Sequence, residues 1–168
     1  MADPVMHPVA PTQEEWRAAM GSFPSGVVVV TSWEGDRPIG ATYSSFCSAS
    51  LDPPLVSICS GRNSRVFGPI AERKAFGVNI LGRGQQALAF AFANGPNASG
   101  FADLPHRALE EASPQIIGAP VFIDCTLEHS YDAGDHVIFI GRGVRVDFAS
   151  DVPPLLYHKG GFPDFAPL

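Results

Sequence analysis

Four side-chain hydroxyls stand in succession at Thr42, Tyr43, Ser44 and Ser45, between two apolar segments that read as strands. A hydroxyl buried without a partner costs roughly 1–3 kcal/mol. Four together therefore belong against a polar ligand or water, or in an exposed turn whose Ser and Thr bond their own backbone. The rest of the sequence narrows the chemistry by what it omits. It contains no HExxH pair, no Cys/His cluster at metal-binding spacing, no GxSxG elbow and no GxxxxGK phosphate loop. "GRGVRV" lacks the later glycine of a dinucleotide fingerprint and lies inside an expected strand. Carboxylates fall mostly in turns, so side-chain acid–base or nucleophilic catalysis has little support. If the chain is an enzyme, an organic cofactor carries the reaction and the protein positions it. Hydride transfer between two stacked rings is chemistry of that kind.

The elements that must position such residues are short and mainly β. With 168 residues, 45% of them hydrophobic and 17% charged, the chain is expected to fold as one globular domain over 13–168. Residues 1–12 read as a flexible arm, without the basic and apolar regions of a signal peptide. Eleven basic against 17 acidic residues give a net charge of −6 and no basic run, which argues against nucleic acid and anionic membranes. Three cysteines without CxxC spacing point to reduced thiols in a cytoplasmic protein.

"TQEE" predicts a capping box, Thr12 at the N-cap and Glu15 at N3, opening a helix that packs through Trp16, Ala19, Met20 and Phe23. Gly26 to Trp33 and "IGAT" predict a hairpin, and Leu55 to Cys59 a third strand. A helix follows, capped at Ser64 or beginning nearer Gly68, then a strand over Ala75 to Leu81. "GQQALAFAFAN" predicts another helix, with Leu88 and Phe92 on one face and Phe90 flanking, before a long loop over 94–114. Val121, Ile123, Cys125 and Leu127 alternate with Asp124, Thr126 and Glu128, predicting a half-buried strand. The return strand after "DAGD" places Ile138, Ile140, Val144, Val146 and Phe148 on one parity, with Gly141 and Gly143 marking a bulge or close approach. Strands in hairpin order with few helices favour a mainly β, antiparallel Greek-key barrel.

"FPSGVVVVTS", "GATYSSFCSASLDPPLVSIC", "NSR", "FGVNIL", "GAPVF", "DAGDHVIFIGRG" and "PLLYHKGGF" together resemble, in order, the short-chain flavin reductases, the reductase components of two-component flavin-dependent monooxygenases. The resemblance runs from about Phe23 onward and implies the flavin-binding split β-barrel, a homodimer, and reduction of free FMN or FAD by NAD(P)H. It implies that Thr42, Tyr43, Ser44, Ser45 and Phe46 lie along the flavin. Ser60, Arg62, Asn63 and Ser64 resemble the phosphate-side loop, with Arg65 adjacent, against a reading as ordinary helix capping with solvated arginines. Asn79 matches a position near the flavin, or is a surface-face residue. His136 resembles the residue that contacts the nicotinamide, and Tyr157, His158, Lys159 and Gly160 a segment approaching the same site. NADH is expected over NADPH, since no Arg cluster suggests a 2′-phosphate site. Two rivals stand beside this reading: a pyridoxamine-phosphate-oxidase type of enzyme on the same barrel, and a flavin-binding storage or sensing protein without turnover.

Overall fold

The computed structural model describes residues 10–93, 100–102, 104–108, 112–149 and 151–164. The first nine residues of the expected arm, and 94–99, 103 and 109–111 of the expected loop, lie outside them. In chain order the elements are α1 (Gln13–Gly21), β1 (Ser25–Gly26), β2 (Val28–Glu34), β3 (Arg37–Tyr43), β4 (Cys47–Leu51) and β5 (Pro54–Gly61). There follow α2 (Phe67–Arg73), β6 (Ala75–Ile80), α3 (Gln86–Ala93), β7 (His106–Arg107), β8 (Gln115–Ile116), β9 (Val121–Ala133), β10 (His136–Phe148) and β11 (Leu156–Tyr157). Seven strands form one antiparallel sheet in the order β3-β2-β6-β9-β10-β5-β4. Two-stranded pairs, β1 with β11 and β7 with β8, flank it.

The sheet curls into a barrel because one face is apolar from β3 through β5. Val28, Val30, Ile39, Ala41, Tyr43, Val56, Ile58, Phe76, Val78, Cys125, Val137 and Phe139 fill the interior, and Val66 and Ile70 beside and in α2 plug it. Residues from both ends of the strand order thus share one core. The barrel is split where its edges, β3 and β4, are joined only by residues 44–46. There the Ser45 hydroxyl grips the backbone of Cys59 on β5, donating to its carbonyl at 3.0 Å and accepting from its N–H at 3.1 Å. A second core lies outside the barrel, where Val27, Val29 and Leu81 meet Ala89 and Phe92 of α3, with Ile116 and Leu155. This is why "GVVVV" is an unbroken β-branched run: β2 is covered on both faces.

Four expectations need correction. The capping box at Thr12 and Glu15 is present, but α1 buries no residue, and Trp16, Met20 and Phe23 are exposed. Of the two expected starts of α2, the one nearer Gly68 holds, at Phe67 behind Val66, and Ser64 does not cap it, its hydroxyl being engaged with Tyr43. On β10 the buried parity is Val137, Phe139 and Gly141, whereas Val144, Val146 and Phe148 face out. Bulges after Ile140 and Gly143 shift the register, and Gly141 is required because a Cβ there would meet the Phe76 ring at 2.4 Å. On β9, Phe122 and Asp124 are buried as well as Cys125, so its first half is covered on both faces. The covering segment is 112–116, held by the Ser113 N–H on Asp124 Oδ1 at 3.1 Å and by Thr31, which donates to the Pro114 carbonyl at 2.6 Å. The polar, small-residue strand β4 had no β-branched signal and was not expected.

Candidate functional site

Chain geometry at the split makes a cleft. Leaving β3, the chain turns at Ser44, so the backbone of 42–45 forms one wall along the seam. Opposite it β5 ends at Gly61, and the turn before α2 brings Asn63, Ser64 and Arg65 to the same space. His136, the first residue of β10, pairs with Gly61 across the sheet and closes that end. The resulting cleft has a volume of about 600 Å³ and opens to solvent. A second lobe of about 480 Å³ continues past Thr42, Tyr43, Ser44 and Ala93, and is walled by Val27, Ala89, Phe90, Tyr157, Gly160 and Phe162. Phe162 meets Phe90 edge-on at 5.2 Å between ring centroids, and Tyr157 at 5.6 Å. One lobe is hydroxyl-rich and the other is aromatic.

The four successive hydroxyls prove unequal. Thr42 donates to the Ala89 carbonyl at 2.7 Å, fastening β3 to α3. Tyr43 is buried, with its oxygen 2.8 Å from both Ser60 Oγ and Ser64 Oγ. Ser45 is the seam clasp. Ser44 is exposed and lines both lobes. The stretch therefore serves as fold closure and as cleft wall together.

Of the residues the sequence nominated, Thr42, Tyr43, Ser44, Ser45, Asn63, Ser64 and His136 line the first lobe, and Tyr157 and Gly160 the second. Ser60 lies directly beneath, fully buried. Five others do not reach the cleft. Phe46 packs on the barrel core. Arg62 turns outward to Asp132. Asn79 is fully buried on the far side of β2, where it donates to the Val29 carbonyl at 3.2 Å and accepts from the Ile116 N–H at 2.8 Å. His158 and Lys159 build the tight turn that presents Gly160, closed by reciprocal bonds between His158 and Gly161, with Lys159 and Gly160 at positive φ. Gly61, Cys59 and the phenylalanines of the second lobe were missed. Gly61 follows the apolar run of β5 and carries no side chain to signal a role, and Phe90 looked like an ordinary flanking aromatic.

Burial, opposed by its bonds to Ser60 and Ser64, raises the Tyr43 phenol above its usual pKa, so it keeps its proton. Asp135 is exposed and held below the usual carboxylate range by the bond from His136, Nδ1 to Oδ1 at 2.8 Å. That bond fixes the ring and leaves Nε2 over Gly61. Among the cysteines, Cys125 is inert, since burial and then Asp124 push its thiol up to about 12.

A split antiparallel barrel with a polar lobe and an aromatic lobe meeting along its seam has the form of a small-molecule site. Comparison with known proteins makes the class specific. A match to the flavin reductase-like domain family spans residues 20–166. A flavin reductase of Pseudomonas putida is 36% identical over 154 residues, covering 90% of each chain. The reductase subunit HsaB of a flavin-dependent monooxygenase from Mycobacterium tuberculosis is 34% identical over 157 residues, 90% of this chain and 82% of that one. The Streptomyces globisporus NADH:FAD oxidoreductase SgcE6, solved in complex with NAD and FAD fragments, superposes with a TM-score of 0.87 at 33% identity, over 96% of this chain and 98% of that one. The chain belongs to the flavin reductase-like family.

Proposed function

We propose that this protein is an NAD(P)H:flavin oxidoreductase that reduces FMN or FAD and supplies the reduced flavin to a separate flavin-dependent monooxygenase. The observation that carries the reading is the shape of the seam. A Cβ added at Gly61 would stand 3.1 Å from Asn63 Oδ1 and 3.7 Å from His136 Nε2, so glycine is what keeps the cleft floor clear. The backbone of 42–45 and the Ser44 hydroxyl offer donors and acceptors for the edge of an isoalloxazine ring. Asn63, Ser64 and Arg65 would hold the phosphate end. His136, fixed by Asp135, and the wall of Phe90, Tyr157 and Phe162 would hold the nicotinamide nucleotide.

When bound, the reduced nicotinamide supplies a hydride that the flavin accepts. The chain's part is to stack and align two rings and to exclude water between them, which asks for no acid or base among the lining residues. This agrees with a cleft lined mainly by hydroxyls, amides, glycine and aromatics, in which Arg65 and His136 would serve binding. Delivery to a monooxygenase is supported by HsaB, which is named as such a reductase subunit. NADH as donor is supported by SgcE6, named for NADH and FAD. No helix among the described residues is long and apolar enough to cross a membrane.

The test is nicotinamide oxidation by purified protein under air, with FMN or FAD added separately and NADH or NADPH as donor. Turnover that depends on added flavin is expected, faster with NADH. Flavin binding without nicotinamide consumption would replace the reductase with a flavin-storage protein. Absence of flavin binding would overturn the assignment of the cleft.

A further inference from the structure

We infer that Tyr43 is a positioning residue for the phosphate end of the flavin, acting through a chain of hydroxyls that runs from Ser60 through Tyr43 to Ser64. The inference rests on the flavin reading of the cleft and adds to it a determinant of specificity.

Tyr43 closes β3 and points into the barrel, while Ser60 lies on β5 across the split and Ser64 on the turn that lines the cleft. The phenol oxygen is 2.8 Å from each serine oxygen, so one side chain joins the two walls of the seam to the anion-facing turn. The turn is also held by backbone bonds from Arg62 N–H to the Asp135 carbonyl at 3.5 Å, Ser64 N–H to the Gly61 carbonyl at 2.9 Å and Phe67 N–H to the Ser64 carbonyl at 3.0 Å, and by the Arg65 guanidinium on the Phe92 carbonyl at 3.2 Å. Ser60 is fully buried, and among the described residues its hydroxyl's other hydrogen bond is the longer one to the Gly61 carbonyl at 3.4 Å, so its partner of consequence is Tyr43.

Three hydroxyls carry three protons, and the chain can run in two directions. If Ser64 donates to Tyr43 and Tyr43 to Ser60, Ser60 donates onward to Gly61 and Ser64 shows the cleft only lone pairs. If Ser60 donates to Tyr43 and Tyr43 to Ser64, the Ser64 proton is left for a ligand. A phosphate accepts and does not donate when ionised, so it selects the second direction, and each link polarises the next. Because Tyr43 stays protonated, the relay persists across the working pH range. Tyr43 touches the anion only through Ser64, and its effect should therefore be confined to flavins that carry a phosphate.

The experiment compares dissociation constants for FMN and for riboflavin, which lacks the phosphate, by flavin fluorescence titration. It uses wild type, Tyr43→Phe, Ser64→Ala, the double variant and Ser60→Ala, with a thermal melt of each. Wild type is expected to bind FMN more tightly than riboflavin. Tyr43→Phe keeps the ring and its packing and should weaken FMN roughly five- to ten-fold while leaving riboflavin unchanged. Ser64→Ala should do the same, and the double variant should be no worse than Ser64→Ala alone. Ser60→Ala, at the buried end, should shrink the FMN preference by a smaller factor, and it carries the test if Tyr43→Phe does not fold. Equal weakening of both flavins, or effects of Tyr43→Phe and Ser64→Ala that add, would overturn the relay and leave Tyr43 a structural clasp. A wild type that binds neither flavin would instead overturn the reading of the cleft.

Discussion

Gly61 illustrates how a residue without a side chain can define a site. It ends β5 opposite His136, and the space above it is bounded by Asn63 on one side and the imidazole on the other. Its φ is not positive, so a larger residue would meet no backbone penalty. Gly61→Val should therefore fold normally and fill the cleft floor. The expected outcome is a loss of at least about ten-fold in flavin affinity with a melting temperature close to wild type, checked by flavin titration and a thermal melt. Unchanged affinity would mean that the flavin does not lie over Gly61. The contrast with Gly141 is instructive, because there the added Cβ would strike the Phe76 ring inside the barrel and the cost would fall on stability. Sequence alone marks both positions only as glycine; the difference lies in what the fold brings against each.

At the scale of elements, Asn79 separates fold from site. In sequence it is a polar residue in the apolar run "FGVNIL", and family resemblance places it near the flavin. In the structure its amide bridges the Val29 carbonyl, Thr31 Oγ1 and the Ile116 N–H, pinning β8 over the β2–β6 face. Asn79→Ala would remove the side-chain partners of the Val29 carbonyl and the Ile116 N–H. It should destabilise the protein by about 2–4 kcal/mol, measured by urea unfolding, while flavin affinity in the folded protein changes little. A selective loss of flavin binding at full stability would return Asn79 to the site. The same distinction explains what was legible. The hairpin β2–β3, the strands β6, β9 and β10, helix α3 and the box at Thr12 follow from local periodicity and capping. Strand β4 did not, because Cys47, Ser48, Ala49 and Ser50 carry no propensity signal, and their hairpin with β5 has a register shift between Ser48 and Ser50. The hydroxyl stretch was legible as unusual, but not that the hydroxyls of Thr42, Tyr43 and Ser45 bond the protein while all four residues line the cleft, since that division depends on a seam between strands distant in sequence.

The molecule as a whole leaves apolar surface that a lone chain has no use for. On β10, Val144, Val146 and Phe148 are 56%, 59% and 68% exposed, and Tyr131 on β9 is 54% exposed. Val144, Val146 and Phe148 form an apolar patch at the end of β10, beside the half-buried Ile123 and Val121 that pair with Val146 and Phe148, while Tyr131 lies toward the other end of β9 opposite Ile138. Such a patch is characteristic of a surface buried in an oligomer. A twofold arrangement is the simplest way to cover it with itself, in line with the homodimer that the family resemblance implies. Replacing Val146 and Phe148 by glutamate would place four charges across that interface while touching no buried residue. Light scattering at micromolar concentration should give a mass of two chains for wild type and one for the double variant, with the β circular dichroism of the variant retained. Since both lobes of the cleft are lined from within one chain, the flavin affinity of the monomer should stay within about three-fold of wild type, a difference below 1 kcal/mol. A variant that remains dimeric would move the interface elsewhere, to α1 with its exposed Trp16 and Met20 first. A monomer that loses flavin would show that the second copy completes the cleft.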